Sequence, residues 1–131
     1  VHSEAVFKDG VDMIDNINMT FAGGKTAAMQ CNVHAVQNRQ GTIFGTRGYI
    51  EITNINNPEE IRVFDENYKK VTSIIPPEQI SGYEYEVEAC RKAIEEGRLE
   101  CPEMPHKETI RVMKIMDEMR ASWGYEIPVM E

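Results

Sequence analysis

A chain of 131 residues, 41% hydrophobic and 27% charged, has enough apolar material for one core and too little length for two ordinary domains. Asp and Glu outnumber Lys and Arg by 22 to 14, and the net charge of -8 repels a phosphate backbone, which argues against nucleic acid as a partner. No apolar run approaches the roughly 18 residues of a membrane span, so no membrane partner is expected.

No signal peptide is visible, and the three cysteines, Cys31, Cys90 and Cys101, form no close pair. An odd count of separated thiols fits a reducing compartment better than a disulfide frame, which places the protein in the cytoplasm. The chain opens at Val1 without a methionine and with strand-like alternation already under way, so a piece of a longer protein is expected.

In chain order, residues 1–7 form a first strand closed by Lys8-Asp-Gly10. Residues 11–21 alternate, with Ile17, Met19 and Phe21 on one face and Asn16, Asn18 and Thr20 on the other, the pattern of a half-buried antiparallel strand. Ala22-Gly-Gly-Lys25 supplies a hairpin turn, and the return strand over residues 26–36 carries Ala27, Met29, Cys31, Val33 and Ala35 on its apolar face. Gly45 and Gly48 then punctuate a stretch that runs into the period-two strand Tyr49-Ile-Glu-Ile52. A phosphate cradle would need those glycines to open onto a helix N-terminus; a strand pattern follows instead, so they predict a turn or bulge.

Asn54-Ile-Asn-Asn-Pro58 is a turn cluster, and two short strands, residues 61–64 and 71–75, flank the polar turn at 65–69 before Pro76-Pro77. From Gly82 the period changes. A helix over residues 83–96 carries Glu86, Ala89 and Ala93 along one side with Val87, Cys90 and Ile94 beside them and stops at Gly97, and the acidic run Glu84, Glu86 and Glu88 around it reads as solvated. A second, over residues 107–122, has the stripe Thr109, Val112, Met113, Met116, Met119, Arg120 and Trp123. About six strands joined by short turns, followed by two helices, predict an α+β fold: one largely antiparallel, open-faced sheet with both helices packed on one face.

Chemistry is sparse. Cys31, His2, His34 and His106 do not fall at metal-ligand spacing, so no metal is expected. His34 sits on the polar face of its strand as an interface or surface residue, and His106 belongs to a helix start rather than acting as a base. The methionines at 113, 116 and 119 read as core filler.

Several segments together resemble a known family. They are Gly41-Thr-Ile-Phe-Gly-Thr-Arg-Gly-Tyr-Ile-Glu-Ile52, Ser81-Gly-Tyr-Glu-Tyr-Glu-Val-Glu-Ala89, Ala93-Ile-Glu-Glu-Gly97, Pro102-Glu-Met-Pro-His106 and Ser122-Trp-Gly124. In order and spacing they are similar to the C-terminal domain of the glucose-fructose oxidoreductase, inositol dehydrogenase and MocA (Gfo/Idh/MocA) family, in its dihydrodiol and xylose dehydrogenase branch, from about Gly10 to the end. The resemblance implies a parent enzyme with an N-terminal Rossmann domain that binds NAD or NADP and exchanges hydride with a sugar, polyol or dihydrodiol-like alcohol.

The family's Glu-Lys-Pro motif and dinucleotide fingerprint are absent from this chain, so no catalytic residue is carried over, and the fragment alone is expected to bind no nucleotide and to be inactive. Its implied role is that of a single domain over residues 1–131 serving as substrate wall and oligomerisation surface, with the Rossmann domain as its missing partner. Residues 75–83 resemble the substrate side of the family, making Gln79 and Tyr83 the substrate-proximal candidates. The neutral sheet positions Asn16, Asn18, Thr20, Gln30, Asn32 and His34 are candidates for a homodimer interface, because interface cores are depleted of charge. A stand-alone interaction or oligomerisation module without redox activity is the rival reading.

Overall fold

The computed structural model describes residues 1–125 and divides into two compact units, Val1–Val36 with Glu100–Glu131, and Gln37–Leu99. The last stretch of the family resemblance, 126–131, lies outside the described residues. The elements are β1 (His2–Lys8), β2 (Val11–Thr20), β3 (Thr26–Asn32), β4 (Gly41–Gly45), β5 (Gly48–Thr53), β6 (Glu60–Asp65), β7 (Lys70–Ile74), α1 (Tyr83–Glu95) and α2 (His106–Ser122). The α+β class holds, but the single sheet does not. There are two antiparallel sheets, of order β1-β2-β3 and β4-β5-β6-β7, and the helices belong to different units.

In the first unit a two-residue turn, Asp9-Gly10, sets Lys8 opposite Val11 and fixes the β1–β2 register. That register lines up Ser3, Ile17 and Met29 in one row and Ala5, Asp15 and Cys31 in the next. Ile17 is buried, as is Met119 in the last full turn of α2. Phe7 meets Trp123 edge-on at 6.1 Å and stacks on Tyr125 at 5.3 Å, so the end of α2 is held beside β1 by aromatic packing. Only that end of the expected stripe is covered: Val112 and Met113 are exposed.

β3 stops at Asn32 rather than running on to Val36. The Asn32 Oδ1 accepts the amides of His34 at 2.9 Å and Ala35 at 3.1 Å, and this local side-chain partner replaces a strand partner. The Val33 amide still reaches the Met13 carbonyl at 2.9 Å, but His34 and Ala35 leave the strand faces that simple alternation assigned to them. The break separates the first sheet from the second.

In the second unit Gly45 pairs with Gly48 across the turn Thr46-Arg47, so the glycines close a hairpin and β4 is the strand missing from the expected six or so. Gly48 has φ 142°, and a Cβ there would fall 2.0 Å from the Phe64 carbonyl oxygen, a position only glycine can fill. One face of this sheet carries Phe44, Tyr49 and Phe64 in a row, with Tyr49 stacked on Phe64 at 4.5 Å. Beside them Glu60 pairs with Arg62 at 2.7 Å and with Lys70 at 3.5 Å. The other face is aliphatic, with rows Ile43-Ile50-Val63 and Ile52-Ile61-Ile74. On α1 only Ala93 is buried. Val87 and Ile94, placed beside it by the helical period, are 68% and 77% exposed, and among the described residues no strand backbone lies against the helix.

Candidate functional site

The segment between β7 and α1 has little freedom. Pro76-Pro77 fixes two φ angles, and the chain must then turn into the helix at Gly82, whose φ of 90° is open to glycine. Gly82 also admits a neighbour, since a Cβ there would lie 3.1 Å from Asn57 Oδ1. Asn57 in turn accepts the Gln79 side-chain amide at 2.7 Å across 22 positions of sequence. This amide pair ties the β5–β6 turn to the segment that enters α1.

Around it opens a recess of about 680 Å³ whose walls include Asn57, Pro76, Gln79, Tyr83, Tyr85 and Glu86. Gln79 and Tyr83, the two substrate-proximal candidates, both line it. Asn57 and Tyr85 carried no site role in the sequence, and Glu86 read there as part of a solvated acidic run.

The start of α1 is organised by Glu84. Its carboxylate accepts the amides of Ile80 at 2.6 Å, Ser81 at 3.2 Å and Gly82 at 2.9 Å, and the Ser81 hydroxyl at 3.2 Å. Bonds from its own amide first, then from those of Ile80 and Ser81, hold the Glu84 carboxyl down at about 2. Ser81-x-x-Glu84 is the spacing of a capping box, a signal in the sequence that could have located this clamp.

Three places among the described residues bear on phosphate binding. The glycine turn at 45–48 leads into a strand, the amides before α1 are filled by Glu84, and the first amide of α2, that of His106, is taken by Glu100. Among the described residues no three His, Cys, Asp or Glu side chains group as a metal site. His106 is the first residue of α2, where Glu100 accepts its backbone amide at 2.7 Å, consistent with a helix-start role.

The interface candidates separate. Asn16, Asn18, Thr20 and Gln30 share the exposed face of the first sheet, and Gln30 donates to Asn16 at 2.9 Å. Asn32 shares that face at the Ile14 row but spends its side chain on the following turn, and His34 is off the strand. The register adds β1 residues to the face: His2 beside Asn18, Glu4 beside Asn16 and Val6 beside Ile14. The neutral run on β2 and β3 is thus bordered by one carboxylate, 4.0 Å from the His2 ring.

A search of protein-family models finds none that matches the chain. No curated protein is significantly similar to it in sequence.

Proposed function

We propose that the chain is the C-terminal domain of an NAD(P)-dependent oxidoreductase acting on a sugar, polyol or dihydrodiol-like alcohol, and that it supplies the substrate wall and the subunit contacts. An N-terminal Rossmann domain would bring the cofactor and the catalytic groups. The observation that supports the substrate role is the recess, where Gln79 and Tyr83 stand with Asn57 and Tyr85. Neutral amides and phenols are the groups that bond hydroxyls without demanding charge on the ligand. The subunit role is supported by the neutral β2–β3 face. The rival reading, an interaction module without redox activity, draws on the exposed apolar side chains of both units, among them Val6, Phe44, Val87 and Ile94.

One preparation separates the two. The product of the complete reading frame is expected to turn over sugars or polyols with NAD or NADP, and to sediment as a homodimer that Asn18→Lys splits without unfolding. Gln79→Ala is expected to lower kcat/KM by up to about tenfold, the worth of one neutral hydrogen bond. A dimer with no nucleotide-dependent turnover on sugars, polyols or dihydrodiols would leave the interaction module standing.

A further inference from the structure

The recess before α1 is asymmetric in charge. A helix N-terminus ordinarily favours an anion, because its free amides and dipole point outward. Here the amides of Ile80, Ser81 and Gly82 are already taken by the Glu84 carboxylate, so the anion is built into the protein. Of the side chains lining the recess, Glu86 alone carries a full charge, and among the described residues no hydrogen bond or ion pair engages it. Arg91, the first cation along α1, is committed to Glu88 and Glu95. Tyr83 and Tyr85 also line the recess, and an aromatic ring attracts an ammonium group that lies over its face.

We propose that the recess takes an aminated polyol, its protonated amine held by the Glu86 carboxylate and a tyrosine ring and its hydroxyls by the Asn57–Gln79 amide pair. The assignment rests on the substrate-wall reading above and narrows its ligand class: a neutral sugar leaves the Glu86 carboxylate unused, an acidic sugar meets that carboxylate and no cation in the lining, and an amino sugar pairs the one unpaired charge. The Glu86 side is open to solvent, so the pair contributes a preference and not an absolute requirement.

The test is an NMR titration of the isotopically labelled chain with glucosamine, glucose and glucuronate at low salt, following the amides of Asn57, Gln79, Tyr83 and Glu86. Glucosamine is expected to bind about three- to fivefold more tightly than glucose, the range of an exposed ion pair, with glucuronate weakest. The preference should shrink in about 0.5 M salt, where the screening length falls to a few ångströms. Glu86→Gln should bring glucosamine down to the glucose level without changing glucose, and unchanged shifts across β4–β7 will show that the variant is folded. Equal affinity for glucosamine and glucose, or a preference that survives Glu86→Gln, overturns the charge assignment while leaving the substrate wall intact. No response to any of the three sugars at these amides removes the recess as a sugar site and both readings with it.

Discussion

The two helices are anchored at opposite ends and by different forces. α2 is held at its C-terminal end, where Met119 is buried and Trp123 and Tyr125 meet Phe7. α1 is held at its N-terminal end by the hydrogen bonds that converge on Glu84, while its apolar flank at Val87 and Ile94 stays exposed. Aromatic and methionine packing dominates at one helix, where Glu100 also takes the first amide, and carboxylate hydrogen bonds dominate at the other, where Ala93 alone is buried. A helix anchored by burial responds to lost volume, whereas one anchored by a carboxylate responds to protons, and the two should be separable by experiment.

The largest effect is expected from Met119→Ala. Removing a buried methionine side chain costs about 2–3 kcal/mol in a site that collapses partly, and chemical denaturation of the first unit should show it. Hydrogen-exchange protection at residues 80–82 should not change. If that protection falls as far as the protection of α2, the two anchors are not independent.

The converse change is Glu84→Gln. The folded carboxyl titrates at about 2, below its ordinary 4.5, so its contribution is fully present above about pH 5 and lost as pH falls toward 2. Amide protection at Ile80, Ser81 and Gly82 should therefore fall in acid in the wild type, and should be low and independent of pH in the variant. Unchanged protection in the variant at neutral pH would show that the prolines, not the carboxylate, order the segment.

The smallest effect refines the packed end. Asp15 lies on the inner face of the first sheet, where burial first and then the nearby Asp12 raise its pKa, partly offset by Arg120. A raised folded pKa means that the native state favours the protonated acid, so stability is lost as pH rises through that value. Asp15→Asn should stabilise the fold near neutral pH by less than about 1 kcal/mol, solvent screening included, with no gain in acid. A variant less stable at pH 7 would show that the Asp15–Arg120 attraction outweighs the burial.

Alternation made β2 and the apolar row through Ile17 legible, and the change of period at Gly82 gave α1 to within a residue. The split into two sheets was not legible, because it turns on what one side chain does. Asn32 continues the polar alternation as well as any strand residue, yet its Oδ1 reaches forward to two amides and ends β3. The β4–β5 hairpin was half legible: Gly45 and Gly48 predicted a turn or bulge ahead of Tyr49-Ile-Glu-Ile52, and they form the turn, but β4 on its other side was missed. At the candidate site, Gln79 and Tyr83 came from a resemblance, whereas Asn57 joins them only through the fold, from 22 residues away. The Glu84 clamp was readable in the Ser81-x-x-Glu84 spacing. Exposure of Val87 and Ile94 was not readable, since periodicity shows which residues share a face and not whether anything covers it.

The order of the strands has a kinetic consequence. Within each sheet every strand pairs with its neighbour in sequence, so both can assemble from contacts that close short loops, the kind of topology that folds fast. The aromatic meeting of Phe7 with Trp123 and Tyr125 joins nearly opposite ends of the chain. During synthesis β1 leaves the ribosome well before its partner is made, several seconds at about 5–20 residues per second, with Phe7 and the inner face of the first sheet uncovered in the interval. Loop closure of that length adds only logarithmically to the entropy cost, so what delays the contact is the order of manufacture more than the search. Trp123 is the one tryptophan in the chain, and its fluorescence therefore reports on this last step and on none of the hairpins that precede it.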